Sequence, residues 1–413
     1  MISFDRYVLE NGLRLIVHED KSSPMVAVNV VYDVGSRDED PSKTGFAHLF
    51  EHLMFGGSQN IPDFDGPIQN AGGENNAFTN TDMTNFYNVL PAENVETALW
   101  LESDRMQQLI FSEKALNIQK KVVIEEFKET CLTQPYGDVW HHLSELVYEK
   151  HSYRWPTIGK SPSHIENAKL EDVVHFFNKH YTPCNAVLVI SGNMSGKKAY
   201  GLVEKWFSNI PSGNKYNRQL DFDTPQHSKK QKVVKGNVPL EALYMSFNMV
   251  DRSHPDYYAY DLLSDVLSNG RSSRLFQRLM KEHQFFSQID AYISGTFDPG
   301  MFVIEGRPMP NISTEKAKEV IWNELEILKA QPIDSRELQK LKNKIESSLE
   351  YSEVNILHKS MSLAYFELLG DANLINKEAL EYQKVTSEDI QRVANKIFKT
   401  ENCTELIYLP NEN

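Results

Sequence analysis

Cysteine is scarce in this chain. Cys131, Cys184 and Cys403 are scattered, odd in number and form no C-x-x-C pair. That argues against both a disulfide framework and a thiolate zinc site. Long apolar runs are missing as well: none approaches the ~18 residues that cross a bilayer, so no membrane association is expected. The amino terminus, MISFDRYVLENGLRL, lacks the basic-then-apolar layout of a secretion signal, and the chain as written reads as cytoplasmic. Low-complexity tracts are absent. Basic residues are the minority, with 43 Lys and Arg against 57 Asp and Glu, a formal charge of −14. That sign does not suit a phosphate backbone, so nucleic acid is not an expected partner. What remains is an ordinary globular composition, 40% hydrophobic and 24% charged, over 413 residues. This length exceeds what one core usually serves, so two domains are expected.

The chain opens with strand patterns. Asn11-Gly12 separates two apolar runs in YVLENGLRLIVHED, a hairpin signal, and MVAVNVVYDVGS follows as a buried strand. A helix comes next over GFAHLFEHLMFGG (45–57), then a glycine-led loop into strands over GGENNAFTNTDMTNFYNVL. Helical spacing runs from Val95 to about Glu129 with a break near Ile110–Phe111, and NAVLVISGN is a buried strand. Residues 211–235 are rich in Ser, Asn, Gln, Lys and Pro, which reads as a linker. The second half repeats the first. SPMVAVNVVYDVGSR (23–37) lies over VPLEALYMSFNMVDR (238–252), pairing Pro24 with Pro239, Ala27 with Ala242 and Arg37 with Arg252. HLFEHLMFGGS lies over DLLSDVLSNGR (261–271), and LEDVVHFFNKHYTPCNAVLVI (170–190) over SEDIQRVANKIFKTENCTELI (387–407). The expected architecture is α+β: two homologous domains, each a mainly antiparallel sheet with helices packed on one side. Their bounds are 1–215 and 236–413, with a linker at 216–235.

The duplication isolates one difference. Copy one has His48-x-x-Glu51-His52 where copy two has Asp261-x-x-Ser264-Asp265. The shared helix therefore folds without histidine. At about 100° per residue, positions i, i+3 and i+4 share one face, so His48 and His52 can present two imidazoles to one ion. Zn²⁺ takes nitrogen ligands at about 2.0–2.1 Å, and Glu51 beside them suits a general base for an attacking water. The order H-x-x-E-H is the inverted form of the zinc-protease motif. The bland alternative is a pair of hydrogen-bonded histidines with a surface glutamate. A zinc site needs a third protein ligand, and LNIQKKVVIEEFKETCL (116–132) clusters Glu125, Glu126 and Glu129 on a helical stretch.

Taken together, ENGLRLIV, GSRDE, GFAHLFEHLMFGGS, AGGENNAFTNTDMTNFY, KKVVIEEFKE and GRSSRLFQRL resemble, in order and over the whole length, the pitrilysin-like M16 metallopeptidases. The small bacterial members with two homologous domains are the nearest in layout. The resemblance implies Zn²⁺ held by His48, His52 and Glu126, with Glu51 as the catalytic base. It leaves Glu129 as a surface or supporting acid, and as the fallback for the third ligand. The family usually carries a supporting glutamate seven residues before the third ligand. Gln119 stands there, able to accept a hydrogen bond but without charge. NNAFTN resembles the edge strand on which family substrates lie, which makes Asn76, Ala77 and Phe78 candidate substrate-binding residues, held by main-chain pairing. A second departure lies in SSRLFQRLMKEHQFFSQIDAY. Family enzymes carry an Arg and a Tyr seven residues apart, and the matching positions are Met280 and Ser287. Arg274, Arg278 and Tyr292 are nearby at the wrong spacing. The implied function is a zinc endopeptidase acting on peptides or unfolded segments in a closed chamber. This chain would be the zinc-bearing subunit of a heterodimer whose homologous M16-type partner supplies the Arg/Tyr pair, a homodimer being the simpler variant. A non-catalytic M16-like subunit with a structural or peptide-binding role is the rival expectation.

Overall fold

A computed structural model describes residues 1–411 as two compact units. The first comprises 1–128, 155–220 and 350–377; the second comprises 129–154, 221–349 and 378 onward. Each unit is thus built mostly from one half of the sequence and completed by a segment from the other half. The expected continuous domains do not show this exchange.

In the first unit six strands form one sheet. They are β1 (Asp5–Val8), β2 (Arg14–Glu19), β3 (Met25–Tyr32), β4 (Glu74–Thr79), β5 (Thr84–Pro91) and β6 (Ala186–Gly192), in the order β1-β2-β6-β3-β5-β4. β2 and β6 run parallel and the other neighbours antiparallel. The β1–β2 hairpin turns at Gly12, whose φ of 86° favours glycine. β3 and β6 are buried along nearly their whole length, as their continuous apolar runs require of central strands covered on both faces. One face carries α1 (Phe46–Leu53) and the helices Val95–Gln107, Leu170–His180 and Gly196–Phe207, which close the main core around Leu49, Phe50, Leu99 and Phe177. The other face is smaller. There Ile16, Val31, Val187 and Val189 pack against Leu363 and Ala364 of the helix Ile356–Leu368, which comes from the second half of the sequence.

The second unit repeats this plan. Its strands are β7 (Lys230–Gly236), β8 (Ala242–Asn248), β9 (Phe286–Ile293), β10 (Met301–Pro308) and β11 (Cys403–Pro410), in the order β7-β11-β8-β10-β9. Without β1, the first sheet has the same order and the same single parallel pair. The helix Val139–Val147, from the first half, covers the second face against Tyr244, Val303, Leu406 and Tyr408. The expected linker ends earlier than its composition suggests. Residues 211–227 carry no regular structure, but β7 begins at Lys230 and pairs with β11. Its alternate residues Gln231, Val233 and Lys235 are exposed and the others only partly covered, as on an edge strand, so the run is polar where a central strand would be apolar.

Candidate active site

α1 has only eight residues, too few to be stable alone. Packing holds it: Phe46, Ala47, Leu49, Phe50 and Leu53 are buried, which turns His48, Glu51 and His52 to the half-exposed face. The helix Glu113–Phe127 packs against α1. It is capped by Ser112, whose hydroxyl accepts the Ala115 N–H at 3.2 Å. Near its carboxy end it directs Glu126 at the two histidines.

The three side chains converge, with one candidate ligand atom from each within 4.8 Å of the others. His48 Nε2 and His52 Nε2 are 3.4 Å apart. Glu126 Oε1 is 3.6 Å from His48 Nε2, and Glu126 Oε2 is 3.3 Å from His52 Nε2. A tetrahedral zinc ion with bonds of about 2.0–2.1 Å keeps its ligand atoms about 3.3–3.4 Å apart, so the donor set fits that ion. Among the described residues, no other group of three or more His, Cys, Asp or Glu brings its donor atoms within 4.8 Å of one another.

The protonation states also fit. Burial holds His48 below the ordinary imidazole range, against the pull of Glu126; His52 lowers it further and Glu51 opposes. Glu126 lies below the usual carboxylate range, first because His52 hydrogen-bonds to it, and burial works the other way. A neutral imidazole at His48 and an ionised carboxylate at Glu126 are the forms that coordinate a cation. Glu51, on the same turn as His52, is half-buried.

The remaining sequence candidates fall as follows. β4 is the outer strand of its sheet and packs beside α1. Asn76 is exposed, and Ala77 and Phe78 are partly covered. The Ala77 N–H is taken by the Asn76 side chain at 2.8 Å. Gln119 is partly buried, with its amide nitrogen beside Gly56, just past α1. Glu129 is exposed, on the wide helical turn Lys128–Thr133 that continues the Glu113–Phe127 helix, and does not belong to the converging set. In the second unit Met280 packs against the core, and Ser287 donates to the Arg307 carbonyl at 3.1 Å. The neighbouring donors are also engaged. Arg274 binds Glu337 at 2.8 Å, Arg278 binds Glu324 at 3.0 Å, and the Tyr292 hydroxyl donates to Glu305 at 3.0 Å.

Sequence reasoning missed a supporting set beneath the exit of α1. Arg105, 1% exposed, pairs with Glu102, itself fully buried, through Nε at 2.8 Å. Its guanidinium lies 4.2 Å from the Phe64 ring and 4.3 Å from the Phe86 ring. Asp104 accepts from the Ser58 hydroxyl and from the Asn60 amide, the latter at 2.6 Å, and so pins the loop after the motif. The available signal was LESDR, a charged run inside a helix with little amphipathic character.

Two family descriptions match the chain. Residues 14–160 match "Insulinase (Peptidase family M16)" and residues 167–345 match "Peptidase M16 inactive domain". The chain belongs to the M16 peptidase family. Zinc protease PqqE of Helicobacter pylori is 28% identical to this M16 chain over 412 residues, covering 97% of it and 92% of the relative. The uncharacterized zinc protease YmxG of Bacillus subtilis is 27% identical, covering 97% of each. The crystal structure of a protease from Helicobacter pylori superposes with a TM-score of 0.94 at 26% identity, covering 99% of this chain and all of that one. The matched description of the second part as inactive agrees with the absence of a converging donor set there among the described residues.

Proposed function

We propose that this chain is a zinc-dependent endopeptidase that hydrolyses peptides or unfolded segments within a closed chamber. It is the zinc-bearing subunit of a dimer whose homologous partner supplies an Arg/Tyr pair. The observation that carries the reading is the convergence of His48, His52 and the Glu126 carboxylate: the two Nε2 atoms are 3.4 Å apart, and one carboxylate oxygen lies 3.6 Å from His48 and the other 3.3 Å from His52. The zinc proteases among its relatives support it.

Zinc held there supplies a Lewis acid that polarises a peptide carbonyl and acidifies water. Glu51 takes the proton from the attacking water and later hands it to the leaving amine. β4 receives the substrate as an added strand, held by main-chain hydrogen bonds with little regard for sequence. The Asn76 side chain then gives up the Ala77 N–H to that strand.

The partner is inferred from Met280 and Ser287. Neither side chain can donate as Arg or Tyr does, and the nearest alternatives are tied to carboxylates of their own unit. That observation also favours a second reading, a non-catalytic M16 subunit that binds peptides or serves assembly.

Metal content and cleavage separate the two. Purified protein should carry close to one zinc per chain, and His52→Ala should lose it. Alone, the chain should cleave a quenched peptide slowly. Adding a homologous subunit with Arg and Tyr should raise the rate about 100-fold or more, the scale of an oxyanion donor. Zinc without cleavage in the presence of such a subunit would favour the second reading, and fast turnover by the lone chain would refute the partner.

A further inference from the structure

α1 begins without a capping side chain of its own. Gly45 occupies the cap position, so the first N–H groups of the helix have no local acceptor. The acceptor comes from Glu39, just after the short turn Ser36–Asp38. Glu39 Oε1 accepts the Ala47 N–H at 2.8 Å, and Oε2 accepts the Gly45 N–H at 2.9 Å. Oε2 also accepts the Trp155 indole N–H at 3.1 Å, which is shared with the Ser36 carbonyl at 2.9 Å. The carboxyl is only 5% exposed and Trp155 1%.

Burying a carboxylate this deeply is costly unless its oxygens are satisfied. Here the donors are the first turn of the metal-site helix and the wall behind it. Gly45, with φ of 90°, sits so close to the Ile158 carbonyl that a Cβ would lie 2.8 Å from it. The start of the helix is therefore fixed from two sides.

The second unit offers an internal control. Two residues past the matched pair Arg37 and Arg252, where the first copy has Glu39, the second has His254, the offset shortening by two residues before the helix. There the His254 ring accepts the Asp256 N–H at 3.0 Å, and the side chain is 35% exposed. The helix that follows, Tyr257–Ser268, starts at Asp256 with no side-chain cap hydrogen bond, and its motif positions are Asp261 and Asp265 in place of the histidines. The shared fold forms without Glu39, as it forms without the histidines. Both features are confined to the copy in which two imidazoles must meet a carboxylate from a separate helix.

We propose that Glu39 is a positioning residue for the metal centre: by gripping the Gly45 and Ala47 N–H groups it sets the height and rotation of α1, so that His48 and His52 meet Glu126. This rests on the reading that those three side chains hold zinc. The precision needed is high. One residue of slippage along a helix is about 1.5 Å and 100°, whereas metal bonds tolerate about 0.2 Å. Glutamine in place of Glu39 keeps the volume, but its NH₂ faces an N–H donor on one side, so one of the two backbone contacts is lost.

The test uses full-length wild type, Glu39→Gln, Glu39→Asp and Trp155→Phe. Each is titrated with Zn²⁺ against a chelator and with Co²⁺, read by its visible absorption. Glu39→Gln should bind Zn²⁺ at least tenfold more weakly per folded molecule and show a changed Co²⁺ spectrum. Glu39→Asp, which keeps the carboxyl group but shortens the reach, should fall between it and wild type. It also serves if the glutamine variant does not fold. Trp155→Phe leaves both helix contacts and should stay within about threefold of wild type. A folded Glu39→Gln or Glu39→Asp with wild-type zinc affinity and an unaltered cobalt spectrum would overturn the inference, since a merely structural cap lowers the melting temperature without moving either. No metal uptake by wild type would instead sink the zinc reading, and this inference with it.

Discussion

The Tyr382 hydroxyl donates a hydrogen bond to Asp261 Oδ2, and Asp261 holds in the second unit the place that His48 holds in the first. Burial pushes the Asp261 carboxyl above its ordinary range. Asp265, the counterpart of His52, accepts from Asn269 at 2.6 Å and is pushed up to about 6, chiefly by burial. These carboxyls are engaged with their own unit, and no third ligand converges on them among the described residues. Asp265→Ala should therefore leave metal content at one zinc per chain, measured by elemental analysis; a drop would place an ion in the second unit.

Glu51 tests the division between holding the ion and using it. An amide has no basic oxygen for proton abstraction, yet it fills the same space. Glu51→Gln should keep zinc content and melting temperature while cleavage by the partnered enzyme falls about 10²–10⁴-fold, the usual contribution of a general base. Residual activity near wild type would remove Glu51 from the reaction.

His180 makes the first unit sensitive to acid. Its ring is buried between Phe176 and Tyr216, centroids 4.6 Å from each, and neither ring nitrogen has a hydrogen-bond partner among the described residues. Burial, then the nearby Lys179 and Arg218, lowers it from 6.5 to about 3. A lowered folded value means that the unfolded chain binds the proton more readily. The stabilising contribution is therefore present above about pH 6.5 and is lost as pH falls toward 3. Between pH 7 and 5 this amounts to about 2 kcal/mol. His180→Leu should flatten that part of the stability profile, measured by urea unfolding at the two pH values. An unchanged slope would assign the acid sensitivity elsewhere.

Local features of this site were legible because they depend on spacing alone. The i, i+4 pair of His48 and His52 shares a helix face in any folded context, and the break between the helices ending at Gln107 and starting at Glu113 lies where the pattern lapses. The repeat was legible because matching strands and helices recur in order, and the two sheets bear that out. Glu126 was different. Glu125, Glu126 and Glu129 are spread over about 100° of helix rotation, spacing alone does not say which of them faces α1, and only the family resemblance favoured one of them. Glu39 and Arg105 were invisible for a related reason. A buried charge looks like a surface charge until the long-range partner that neutralises it is known. β7 was hidden because an edge strand with alternate residues in water has the composition of a linker.

The exchange of residues 129–154 and 350–377 makes the two halves of the polypeptide mutually dependent. Severing the backbone anywhere in 211–227 would not liberate two working proteins. Each fragment would keep a helix meant for its sibling and present a bare greasy sheet where the sibling's helix belongs. Neither piece should be soluble by itself, whereas mixing them would let both complete themselves without a covalent join. Duplication with such an exchange predicts an obligate pair within one chain, tolerant of a nick and intolerant of separation.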